Sequence, residues 1–140
     1  MKLMVCLDEK DGMSFFGRRQ SMDRFLQGRA LELAAPEKLW MNSYSAGQFS
    51  QWPEQIAVSE DFLDAAPDRA CCFAEVSDVS ACLDRAEQII IFRWNRLYPS
   101  DRVFPMKRLL EGWRLISRED FSGYSHDNIT MEVYERCSIR

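Results

Sequence analysis

The sequence predicts an α/β fold: a single three-layer domain, residues 1–140, with a mixed, mostly parallel sheet flanked by short helices and antiparallel strands at the C-terminal end. Three observations predict it. The run 88–94 is apolar except at Gln88 and Arg93, and Ile89, Ile90 and Ile91 are β-branched. A run apolar on both faces is a strand covered on both sides by helices. Ahead of it, short strand-like and helix-like stretches alternate. Behind it, Ile129, Met131 and Val133 share one parity and Thr130, Glu132 and Tyr134 the other, the pattern of a half-exposed antiparallel strand.

In chain order, residues 2–7 read as the first strand and Asp8 to Gly12 as a polar turn. A helix is expected from Ser21, a good N-cap, with Met22, Phe25, Leu26, Arg29, Ala30 and Leu33 on one stripe. Leu39-Trp40-Met41 is a short strand that enters a helix at Asn42-Ser43-Tyr44-Ser45. Gln55 to Val58 is the next strand. Glu60 to Ala66 is a short helix with Ser59 as N-cap, and Ala70 to Val76 is a strand. Ser77-Asp78 is expected to cap a helix running through Ala81, Leu83 and Arg85. After the anchoring run, Tyr98-Pro99-Ser100-Asp101 supplies a turn. Trp113, Leu115 and Ile116 mark a further extended segment.

The 140 residues are 46% hydrophobic and 29% charged, which favours a soluble globular domain over disorder. A net charge of −4 argues against nucleic acid or an anionic membrane as the main partner. No apolar run approaches the roughly 18 residues of a spanning helix. The N-terminal stretch lacks a signal-peptide pattern, and the five cysteines are odd in number. Both point to a cytoplasmic chain with reduced thiols. The one histidine, His126, reads as a solvated loop residue. With no evident nucleophile beside it, Ser/His/Asp or Cys/His catalysis has no support, and no Walker loop or GxGxxG occurs.

The order of the late segments resembles the C-terminal third of dihydrofolate reductases. That family shows A-x-x-L-Y-L-T, G-D-T-x-F-P, W-x-x-x-S and F-E-V-Y-E-R-like pieces. The counterparts here are Ala86 to Phe92, Ser100 to Pro105, Trp113 to Ser117, and Met131 to Arg136. Val5 to Asp8 and Gly12-Met13 match the family's first strand and mobile loop loosely. The resemblance implies that Asp23 stands near the acid that holds the pterin and serves protonation. An Asp in a first helical turn is equally favoured by the helix dipole alone.

The departures fall on cofactor features. The family's Gly-Arg at the phosphate-binding helix would be Asn42-Ser43, with Ser45 for the Thr, although a helix N-terminus still offers N–H groups to an anion. The Gly-Gly pair against the nicotinamide would be Glu75-Val76. The Thr behind the acid would be Phe92, and no Arg stands near Pro53 for the folate carboxylate. The adenosine-side strand has no room.

Three functions follow as expectations. The first is a degenerate domain that binds a small molecule or a partner without NADPH chemistry. Its cleft residues are Asp23, Tyr44, Ser45, Glu75, Trp94, Asn95 and Arg96, with Arg18 and Arg19 meeting an anion or balancing the acidic turn. Asn95 and Arg96 fit equally well as the exposed end of a strand. The second is an active reductase of a pterin-like substrate using NADPH or a flavin, with Asp23 catalytic. The third is a homodimer built on exposed aromatics.

Overall fold

A computed structural model describes residues 1–137; residues 138–140, the end of the expected 1–140 domain, lie outside the described residues. In chain order the elements are β1 (Lys2–Leu7), β2 (Gly12–Phe15), β3 (Arg18–Arg19), α1 (Arg24–Ala34), β4 (Leu39–Met41), α2 (Ser43–Ala46), β5 (Ile56–Val58) and α3 (Phe62–Ala65). There follow β6 (Cys71–Ala74), β7 (Gln88–Arg93), β8 (Arg102–Val103), α4 (Met106–Gly112), β9 (Trp113–Phe121) and β10 (Ile129–Arg136).

Seven strands form one sheet in the order β5-β4-β6-β1-β7-β10-β9. β1 runs parallel to β6 and β7, and β4 parallel to β5 and β6. β10 runs antiparallel to both β7 and β9. This is the expected mixed, mostly parallel sheet with antiparallel C-terminal strands, but β10 is not half-exposed as the late alternation predicts: Thr130 and Tyr134 are buried along with Ile129 and Met131, because the strand lies inside the sheet between β7 and β9 with a core on each face. The period of two sorts the central strands into two cores. Leu3, Val5, Leu7, Ile89 and Ile91 pack with Phe62, Leu83, Leu109 and Trp113. Met4, Cys6, Ile90 and Phe92 pack on the other face with Leu26, Ala30, Phe49 and Phe73.

A second, three-stranded sheet, β3-β2-β8, stands beside the main one. Phe16 and Gly17 join β2 to β3 with φ of 51° and 69°, so both turn residues are left-handed, as a tight hairpin twist requires.

Four further expectations are corrected. Helix α1 starts at Arg24 and its N-cap is Asp23, not Ser21. Met22 and Phe25, placed on the buried stripe, are exposed, and Leu26, Gln27, Ala30, Leu31 and Ala34 form the buried face. Ser59 does not cap α3; Asp61 holds the N-cap position without a side-chain cap bond. The helix expected after Ser77 is a single 3-10 turn, Ala81–Asp84. Among the described residues no helix is long and apolar enough to cross a membrane.

Candidate functional site

Ligands of open α/β sheets bind outside the carboxyl ends of the parallel strands. At the end of β6 lies Glu75, 6% exposed. Its carboxylate accepts from Arg19 Nε at 3.0 and 3.2 Å and from Ser45 Oγ at 2.8 Å. Arg19 comes from β3. Its Nη2 donates to the Tyr44 carbonyl at 3.1 Å, its backbone N–H to the Tyr44 hydroxyl at 3.0 Å, and its guanidinium lies 4.3 Å from the Tyr44 ring centre. Four residues from three segments, β3, α2 and the end of β6, thus close on one another.

The N-terminus of α2 is occupied as well. Ser43 N–H donates to Glu60 Oε2 and Ser45 N–H to Asn42 Oδ1, each at 3.0 Å. Two of the N–H groups expected to await an anion are thus taken by the chain's own side chains. The helix is also only four residues long, so its dipole is small.

A second constellation surrounds Asp23, whose side chain is fully buried. Oδ1 accepts from the N–H groups of Phe25, Leu26 and Tyr124 at 2.9, 3.3 and 3.0 Å. Oδ2 accepts from Ser125 N–H at 2.9 Å, Ser125 Oγ at 3.2 Å and His126 Nδ1 at 3.0 Å. One carboxylate therefore caps α1 and clasps the 123–126 turn. Gly123 must be glycine here, because a Cβ would sit 2.6 Å from Asp23 Oδ2. Burial alone would raise the Asp23 pKa. Hydrogen bonds from Tyr124, Ser125, His126 and Leu26 outweigh it and hold the carboxyl far below the usual range.

His126 is buried at 6%, not solvated, and stacks on Trp94 with ring centres 4.7 Å apart. Since the carboxylate can only accept, Nδ1 carries a proton; Nε2 lies 2.9 Å from Ser21 Oγ and is the acceptor of that bond whenever the ring is neutral. The histidine that has no evident partner in the sequence has a serine hydroxyl beside it, 105 residues away in the chain.

Asp8, another fully buried carboxylate, holds the approach to Ser21 in place. It accepts from Lys10 and Gly12 N–H at 2.8 Å, from Gln20 Nε2 at 3.0 Å and from Tyr98 N–H at 3.3 Å. Burial would raise its pKa, and these bonds reverse the direction.

Of the residues singled out from sequence, Arg19, Tyr44, Ser45 and Glu75 come together, and Trp94 joins Asp23 through His126. Arg18, Asn95 and Arg96 stay outside both groups. Asn95 is a left-handed residue, φ 60°, whose amide donates to Thr130 Oγ1 at 2.9 Å. Arg96 uses its carbonyl to accept from Glu9 N–H. Ser21, His126, Asp8 and Glu60 are additions of the structure.

A cleft of about 390 Å³ opens between the start of α1 and the 47–51 turn, with Met22, Arg24, Gln27, Gln48, Gln51 and Tyr124 among its walls. Another of about 500 Å³ lies beyond Val76, where Asp78 and Asp101 face Arg102.

No family model matches the sequence, and no curated protein is similar to it. Among solved structures, dihydrofolate reductase from Enterococcus faecalis, complexed with NADP(H) and RAB-propyl, superposes with a TM-score of 0.70. The match covers 98% of this chain and 96% of that one at 11% sequence identity. The chain has the dihydrofolate reductase fold. At 11% identity the likeness is one of fold alone, and fold does not carry chemistry. On this dihydrofolate reductase-like sheet, Phe92 lies in the α1-side core and β5 is a sheet edge. Among the described residues the exposed aromatics are Phe15, Phe16, Phe25, Tyr44 and Tyr124, whereas Trp94 and Trp113 are buried.

Proposed function

We propose that this chain is a small-molecule-binding domain on the dihydrofolate reductase fold that has given up nicotinamide chemistry. The observation that carries the reading is the closed group Arg19–Glu75–Ser45–Tyr44. The resemblance assigns that strand end to a Gly-Gly pair, where backbone must approach the nicotinamide ring. A buried carboxylate tied to an arginine fills the same place. Glu60 supplies a negative charge at the N-terminus of α2, where the family keeps a phosphate. Among the described residues lining the space beyond Val76, Asp78 and Asp101 outnumber the one cation, Arg102. The residues present do not fit an anionic dinucleotide.

The remaining room is the cleft beside α1. Its walls offer amides from Gln27, Gln48 and Gln51, a cation from Arg24, and the exposed Met22 and Tyr124. That lining suits a planar heterocycle with a hydrogen-bonding edge and a carboxylate or phosphate. Asp23 lines the cleft but has three donors on each oxygen, so the amides do the reading.

The test is a thermal-shift series with folates, mononucleotides and flavin mononucleotide. A ligand at 100 times its Kd stabilises by about 2.7 kcal/mol. For a domain of this size that raises Tm by roughly 5–10 °C. One of these classes is expected to do so, and Arg24→Ala is expected to abolish the shift. No shift from any class would overturn small-molecule binding in this cleft.

A further inference from the structure

We propose that Ser21, His126 and Asp23 form a nucleophile, a general base and a positioning carboxylate, and that the domain hydrolyses small carboxylic esters at the edge of the α1 cleft. The inference goes beyond ligand binding and stands on a different observation. Ser21 Oγ lies 2.9 Å from His126 Nε2, and His126 Nδ1 lies 3.0 Å from Asp23 Oδ2. Both distances fall in the range required of a base and its orienting group. The carboxylate keeps a proton on Nδ1, so in the neutral ring that the reaction uses Nε2 is the acceptor for the serine hydroxyl.

Exposure is graded along the chain of bonds. Ser21 is partly exposed, His126 is buried, and the Asp23 side chain has no solvent contact. The ring is fixed on one face by Trp94. A helix cap alone requires neither an imidazole on Asp23 nor a hydroxyl on the far nitrogen of that imidazole. Met22 and Ser125, the neighbours of Ser21 and His126 in the chain, both line the cleft. Ser21 and His126 stand just outside those walls, so the ester the proposal calls for lies across the cleft edge rather than deep within it.

The chemistry balances without a redox partner. Ser21 Oγ bonds to the ester carbonyl carbon while its proton passes to His126 Nε2. The carbon–alkoxy bond then breaks, and the leaving oxygen takes that proton as the alcohol. Water gives a proton to Nε2 and its oxygen attacks the acyl carbon. The acid leaves, and the proton returns to Ser21. Asp23 keeps the imidazole in the required tautomer throughout.

The intact chain is to be treated with a fluorophosphonate probe, located by mass spectrometry, and assayed with p-nitrophenyl acetate. The expected result is a single label on Ser21 and turnover above buffer. Ser21→Ala loses the label, and turnover falls by at least about 100-fold. His126→Gln slows labelling by a similar factor, the scale of general base catalysis. Asp23→Asn, which retains a capping side chain, lowers kcat with KM unchanged, which loss of a merely structural cap would not do. Wild-type protein left unlabelled by millimolar probe, a label on Ser125 instead, or turnover unaltered in Ser21→Ala would each overturn the proposal. The wild-type labelling decides even where a variant folds poorly. The ligand screen fails or succeeds independently, since it reads Arg24 and not Ser21.

Discussion

Arg19→Met is expected to destabilise the protein by about 3–5 kcal/mol, the cost of leaving a buried carboxylate without its cation. Glu75 would keep only the Ser45 hydroxyl, and Tyr44 would lose both its guanidinium neighbour and the donor to its carbonyl. Arg19 is 20% and Glu75 4% exposed at the side chain, so solvent screens the pair weakly. The Tm should fall on the order of 10–15 °C in a thermal melt. Removing both charges together, Arg19→Met with Glu75→Met, should return stability to within about 1–2 kcal/mol of the wild type, because an apolar pair of similar volume has no desolvation cost. A single-variant loss below about 1 kcal/mol would mean that the group is surface decoration rather than a filled strand end.

Asp23→Ala is expected to cost about 4 kcal/mol. Loss of an N-cap accounts for about 1 kcal/mol. The rest comes from the stranded N–H groups of Tyr124 and Ser125 and the Nδ1–H of His126, at about 1–3 kcal/mol for a buried donor left unpaired. The substitution also changes the acid limb. The folded pKa of Asp23 is depressed, so its stabilisation is complete above the unfolded value of about 3.9 and is lost as pH falls toward the folded value. Wild-type stability should therefore drop below about pH 4, and the drop should be shallower in Asp23→Ala. Asp8 has the same sign and keeps part of the slope in the variant. Denaturant melts at pH 7 and pH 3 measure both effects.

The central sheet was legible because its pattern is long-period and unambiguous. Ile89, Ile90 and Ile91 are apolar on both parities, and the two cores take them alternately. The small sheet was not legible. Its strands are two to four residues long, and their pairing depends on the Phe16–Gly17 turn rather than on apolar alternation. Helix α4 escaped for a similar reason, with Leu109 its only buried side chain. Ser21 and Asp23 are both good caps locally. Asp23 prevails because the 123–126 turn, a hundred residues away, delivers four more donors to it, and no local rule sees those.

The candidate site divides in the same way. Arg19, Tyr44, Ser45 and Glu75 could each be named from a motif position, but not their bonding to one another. His126 gave no signal at all, because a lone loop histidine reads as solvated until Trp94 is known to lie against it.

The central claim is that the chain's own side chains occupy the place of the dinucleotide. Titration calorimetry of the intact protein with NADPH tests it most directly. The account predicts no saturable heat up to millimolar cofactor; a saturable isotherm with a micromolar Kd would contradict it and restore the reading of an active reductase.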